Sequence, residues 1–120
     1  MGNVLWVGYW ADGLYKYTSL DTAGTIVPNP TPEGLRLPVD VYGVLAWRNK
    51  LFVGGYWPGT PIVHDPVANT WKYIGDNFCK DKYGKWTCEY VTTWKFAATK
   101  DTLYAASGAK AFKIGWSDIP

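Results

Sequence analysis

Apolar residues along this chain come in short runs broken by polar turns, and hardly anywhere at the spacing of an amphipathic helix. Leu5-Trp6-Val7-Gly8 and Gly13-Leu14-Tyr15-Lys16-Tyr17 predict a pair of strands. Further along, Val44-Leu45-Ala46-Trp47 and Leu51-Phe52-Val53-Gly54 flank the turn Arg48-Asn49-Lys50. Phe96-Ala97-Ala98 and Leu103-Tyr104-Ala105-Ala106 flank Thr99-Lys100-Asp101-Thr102 in the same way. Asn and Asp tolerate the left-handed backbone that tight hairpins need. Later strands are predicted at Pro61-Ile62-Val63-His64-Asp65, Thr70-Trp71-Lys72-Tyr73-Ile74-Gly75 and Ala111-Phe112-Lys113-Ile114. A weaker one surrounds Thr25-Ile26-Val27, and the prolines after it, which lack an amide donor, suit a short outer edge. The chain therefore reads as all-β.

One phrase in this pattern repeats. Leu5-Trp6-Val7-Gly8 returns 46 residues later as Leu51-Phe52-Val53-Gly54, and 52 residues after that, degraded, as Leu103-Tyr104-Ala105-Ala106. A period of roughly 40–50 residues is that of a β-propeller, each repeat being one four-stranded blade. The 120 residues then hold about two and a half blades in a single domain, with repeats at about 1–40, 41–89 and 90–120. With strands lettered A to D from the axis outward, the order is BCD, ABCD, ABC. The end blades overlap instead of complementing each other, so their open edges call for oligomerisation or a partner. A β-sandwich is the alternative. The glycines of the second phrase, Gly54-Gly55, suit a place where neighbouring backbones approach closely; the plainer reading is a bulge.

The middle repeat resembles a kelch blade through Leu51-Phe52-Val53-Gly54-Gly55, His64-Asp65-Pro66 and Asn69-Thr70-Trp71. The first resembles the propeller of sensor two-component regulators through Leu5-Trp6-Val7-Gly8, Gly13-Leu14-Tyr15-Lys16-Tyr17 and Leu37-Pro38. The third departs from both, with Ala105-Ala106 in place of the glycines. The resemblance implies a propeller fold; its motifs are structural and do not imply an activity.

Charge narrows the partners. Twelve basic and ten acidic residues leave a net charge of +2, too balanced for nucleic acid as a partner. No apolar run is long enough for membrane insertion, and no signal peptide is visible at the start. Cys79 and Cys88 flank a hairpin-like stretch and are expected to form a disulfide. Such a bond favours an extracellular or virion-associated setting.

Catalytic chemistry is sparse. The single histidine, His64, lies in a turn and is read as structural. One His with two Cys is a poor metal set, so neither metal nor cofactor is expected. The aspartates lie at turns, where Asp commonly bonds the local backbone. Aromatic loops are the better lead, since Trp and Tyr account for 17 of the 120 residues. Tyr9-Trp10-Ala11-Asp12 and Tyr56-Trp57 each follow a B strand, at one rim of successive blades. Exposed rings can stack on sugars while a carboxylate bonds hydroxyls, and propeller lectins hold sugars between blades in this manner. The expectation is a non-enzymatic recognition module binding carbohydrate through Tyr9, Trp10, Asp12, Tyr56 and Trp57. Packing of those rings between blades is the competing reading. The alternative function is a structural or assembly subunit of a virion or other extracellular complex, and a propeller-type hydrolase or lyase fragment comes third.

Overall fold

The computed structural model of the chain describes residues 3–29, 35–56, 59–74, 92–107 and 110–119, with the backbone alone at Lys110 and Asp118. Strands β1 (Leu5–Tyr9), β2 (Gly13–Tyr17) and β3 (Thr25–Ile26) form the first sheet. Strands β4 (Asp40–Trp47), β5 (Lys50–Tyr56), β6 (Ile62–Asp65) and β7 (Thr70–Tyr73) form the second. Strands β8 (Thr93–Ala98), β9 (Thr102–Ser107) and β10 (Lys110–Gly115) form the third, followed by a 3-10 turn at Trp116–Asp118. Every pairing is antiparallel between chain neighbours. The fold is thus all-β, in three small meanders of three, four and three strands. These sheets lie face against face, and among the described residues they close no ring or barrel. Cys79 and Cys88 lie outside the described residues.

Period-2 alternation in the middle sheet builds two cores. Leu51, Val53 and Ile62 point one way and join Leu14, Leu37 and Val41 against the first sheet. Phe52 and Val63 point the other way and join Ile74, Leu103, Ala105 and Ile114 against the third. Strand β5 is covered on both sides, which is why Leu51-Phe52-Val53 is a continuous apolar run. Phe52 and Val53 are fully buried, each worth about 1.5–3 kcal/mol.

The contact between the first and second sheets recurs between the second and third. A side chain at Gly8 of β1 would overlap Val41 of β4. One at Gly54 of β5 would come within 2.5 Å of Thr93 of β8. Both glycines are required because the first strand of the next sheet passes directly over them. Strands β4 and β8 even share an irregularity, a register shift between Val41 and Gly43 and another between Thr93 and Lys95. The residues inside those two bulges, Tyr42 and Trp94, stack on each other at 5.0 Å.

Turns add further ties between the second and third sheets. Arg48 and Asn49 both have positive φ, the type I′ geometry that suits a two-residue hairpin. That turn holds the corresponding turn of the third sheet. Trp47 Nε1 donates to the Thr99 carbonyl at 2.9 Å, Arg48 Nε to the Lys100 carbonyl at 3.2 Å, and Arg48 pairs with Asp101 at 3.1 Å. The Arg48 guanidinium also lies over the rings of Trp47 and Trp116.

Candidate functional site

The β1–β2 turn projects Trp10 into solvent, leaving 74% of it exposed. The following residue, Ala11, takes φ +64°, and Gly13 takes φ +88°. These left-handed positions turn the chain sharply enough to leave Trp10 and Asp12 at the tip. The turn is also anchored. Ala11 donates its backbone N–H to Asp40 Oδ1 at 2.6 Å, tying the tip to the start of β4.

Behind the turn lies an open cleft of about 310 Å³. Its walls are residues 11–14 of the hairpin, Ile26 to Asn29 after β3, and Leu37 to Val39 before β4. Two backbone-directed bonds hold the walls together. Val27 donates its N–H to the Leu14 carbonyl at 2.8 Å, and Leu37 donates its N–H to Asn29 Oδ1 at 2.9 Å. Apolar walls with Asp12 as an acceptor and the Asn29 amide as a donor make a small amphipathic recess. That combination suits a ligand with apolar faces and hydroxyl edges.

The sequence-derived site residues divide. Trp10 and Asp12 share the turn, and Asp12 lines the cleft. Tyr9 points elsewhere: its hydroxyl bonds that of Tyr17 and its ring meets Tyr15 edge-on at 5.1 Å, on the face of the first sheet that turns away from the second. Tyr56 is 42% exposed at the end of β5, paired in register with Asp40, so it reaches the same rim as Trp10 without lining the cleft. Trp57 lies outside the described residues. The equivalence of Gly8 with Gly54 also sets Trp10, not Tyr9, at the place of Tyr56 in the repeat. Sequence reasoning missed the back wall, residues 26–29 and 37–39. Their signal was present in Val27-Pro28 and Leu37-Pro38, whose missing amide donors keep those segments out of the sheets.

His64 is 5% exposed and belongs to the packing between the first two sheets. It stacks on Trp71 at 3.9 Å, meets Trp6 edge-on at 5.7 Å, and its Nδ1 lies 3.0 Å from the Thr70 carbonyl. Burial pushes its pKa below the ordinary 6.5, and the charge of Lys16 adds to this; the Thr70 carbonyl and Asp65 oppose it. Asp65 organises the β6–β7 turn. It accepts from the N–H groups of Val67 at 3.0 Å and Ala68 at 3.1 Å, and pairs with Lys50 at 3.6 Å. These amides, Ala68 first, and then Lys50 hold its carboxyl below the usual range against the opposing effect of desolvation. Among the described residues no group of three His, Cys, Asp or Glu converges as metal ligands. No helix among them is long and apolar enough to cross a membrane. Neither a protein-family model, nor a curated protein, nor a solved structure matches the chain.

Proposed function

We propose that this protein is a non-enzymatic recognition module of β-propeller type that binds carbohydrate at the β1–β2 turn. The observation that carries this reading is Trp10, a large exposed ring on the turn whose next residues, Ala11 and Asp12, line a cleft. The Ala11–Asp40 bond holds the tip in place, so the exposed indole is presented on an anchored turn, and an accessible aromatic face of this kind suits stacking on a sugar ring. The indole offers a stacking face, and Asp12 and Asn29 of the adjoining cleft offer groups that can bond sugar hydroxyls. The propeller part of the reading rests on the three-fold phrase, the kelch-like middle repeat and the recurring contact between successive sheets.

The test is titration of the protein with a panel of mono- and oligosaccharides, read by tryptophan fluorescence and calorimetry. A sugar that quenches the wild type is expected to bind Trp10→Ala at least roughly tenfold more weakly, about 1.4 kcal/mol. Asp12→Asn should weaken binding less, because its amide still accepts one hydrogen bond. A panel that leaves the wild type unchanged, or a Trp10→Ala variant of equal affinity, would defeat the proposal.

A second reading, as a structural or assembly subunit of a larger extracellular or virion complex, is favoured by a different observation. The outward face of the first sheet is apolar and exposed, with Leu5 at 50% and Ile26 at 53%.

A further inference from the structure

Among the described residues the first and third sheets each leave one face uncovered, and the two faces are the halves of a contact made twice inside the chain. In the middle sheet, Leu51 and Val53 lie under the first sheet at 1% and 0% exposure. Their counterparts in the first sheet, Leu5 and Val7, point away from the second sheet, with Leu5 exposed and Val7 half-buried, and no other sheet of the described residues covers them. Tyr15 lies opposite Val7, Tyr17 opposite Leu5, and Ile26 beside Tyr15, all on that side. Among the described strand residues this front face carries no charge.

The rear face belongs to the third sheet. Phe52 of the middle sheet is fully buried against the third sheet, and its counterpart Tyr104 is 40% exposed. Around it lie Ala97, Lys113, Lys95, Ala106 and Ala111 by strand register. The rear thus sets Tyr104 among three alanines and offers two ammonium groups to a front rich in tyrosine rings.

One residue selects the occupant. Where the first two sheets have Gly8 and Gly54, the third has Ala106. Its methyl group would collide with an inner strand crossing as β4 and β8 do. Among the described residues the first sheet has no strand inside β1. A front face of this kind can therefore cover Ala106 where a four-stranded sheet like the second could not.

We infer that two copies of this chain associate front to rear, twice, into a closed two-fold dimer of six stacked sheets. Each front covers the partner's rear, so both faces of both copies are buried. Six sheets fall within the span of about 4–8 at which rings of stacked sheets close, whereas the nine of three copies exceed it. The inference rests on the propeller-type stacking proposed above and not on sugar binding. Trp10 lies at a turn tip outside both faces, so loss of dimers and loss of sugar binding are separately visible.

The experiment is sedimentation velocity and light scattering on the full chain over a wide concentration range. One closed species of about 27 kDa, twice the 13.4 kDa chain, is expected. A monomer at all concentrations overturns the inference, and a mass that climbs with concentration overturns the closure. Two variants assign the faces. Leu5→Lys with Val7→Lys places positive charge on the front, against Lys95 and Lys113 of the partner's rear. Tyr104→Glu places negative charge on the rear. Each alone is expected to sediment as a monomer, and their equimolar mixture as a dimer, because mixing restores one wild-type contact and pairs Lys with Glu at the other. Dimers of either variant alone, or a mixture that stays monomeric, contradict the front-to-rear arrangement. If a variant does not fold by circular dichroism, hydroxyl-radical footprinting of the wild type decides. Leu5 and Tyr104 should both be protected, and reactivity at the level of a free surface refutes the contact.

Discussion

Single residues in this protein are explained by what passes over them. Gly54 is fully enclosed by Thr93 and Phe96 of the next sheet, and a methyl group has no room there. Gly54→Ala is expected to destabilise the fold by about 1–3 kcal/mol, the usual cost of overpacking, read as a lower midpoint in urea. Gly13 is a different case. Nothing lies within 4 Å of its missing side chain, and only its φ of +88° favours glycine. His64 gives a pH signature. Its pKa is lowered on folding, so the unfolded chain binds the proton first as pH falls below about 6.5. Stability should be flat from pH 8 to about 7 and decline from about pH 6.5 toward 5, before the carboxylates begin to titrate. The variant His64→Phe keeps the ring stack with Trp71 and should lose that decline, as thermal melts across the range will reveal.

At the scale of elements, local sequence and tertiary contact divide the work. The strands were legible because Leu-x-Val-Gly phrases and their partners alternate with turn residues, and all ten expected strands are found in the expected pairs. The bulge in β4 falls opposite Gly54-Gly55, where the sequence offered a bulge as the plainer reading, whereas the bulge in β8 has no glycine pair to mark it. The Tyr-Trp pairs are one position out of step: the 46-residue spacing of the phrase sets Trp10, not Tyr9, against Tyr56. The aspartates were read as turn residues, which holds for Asp65, whose Oδ1 bonds two amides of its own turn. Asp40 instead reaches across to the neighbouring hairpin. Asp40→Ala is therefore expected to free the β1–β2 tip while leaving the melting temperature within a few degrees. The measurable results are lower fluorescence anisotropy, followed in a single-tryptophan background that keeps Trp10, and weaker binding of any sugar that Trp10 recognises. Unchanged tip mobility would remove Asp40 from the account. The cleft itself was hidden because its back wall comes from segments that belong to no strand, Val27 to Asn29 and Leu37 to Val39.

Over the whole molecule, three sheets are related by one recurring contact. Gly8 over Val41 becomes Gly54 over Thr93, and the bulge of β4 becomes the bulge of β8. A contact that repeats within a chain leaves one half unused at each end, and here those halves are an uncharged front of Leu, Val and Tyr and a small-residue rear with Tyr104. Both ends are sheets with much of their apolar surface in water, a condition that favours association. The single chain has a radius of gyration of 13.9 Å and principal extents of 49 × 30 × 27 Å. Small-angle X-ray scattering on the wild-type protein tests the account most directly. The account predicts twice the mass of the 13.4 kDa chain, independent of concentration, with a radius of gyration clearly above 13.9 Å. A particle of single-chain mass whose radius matches 13.9 Å would contradict it.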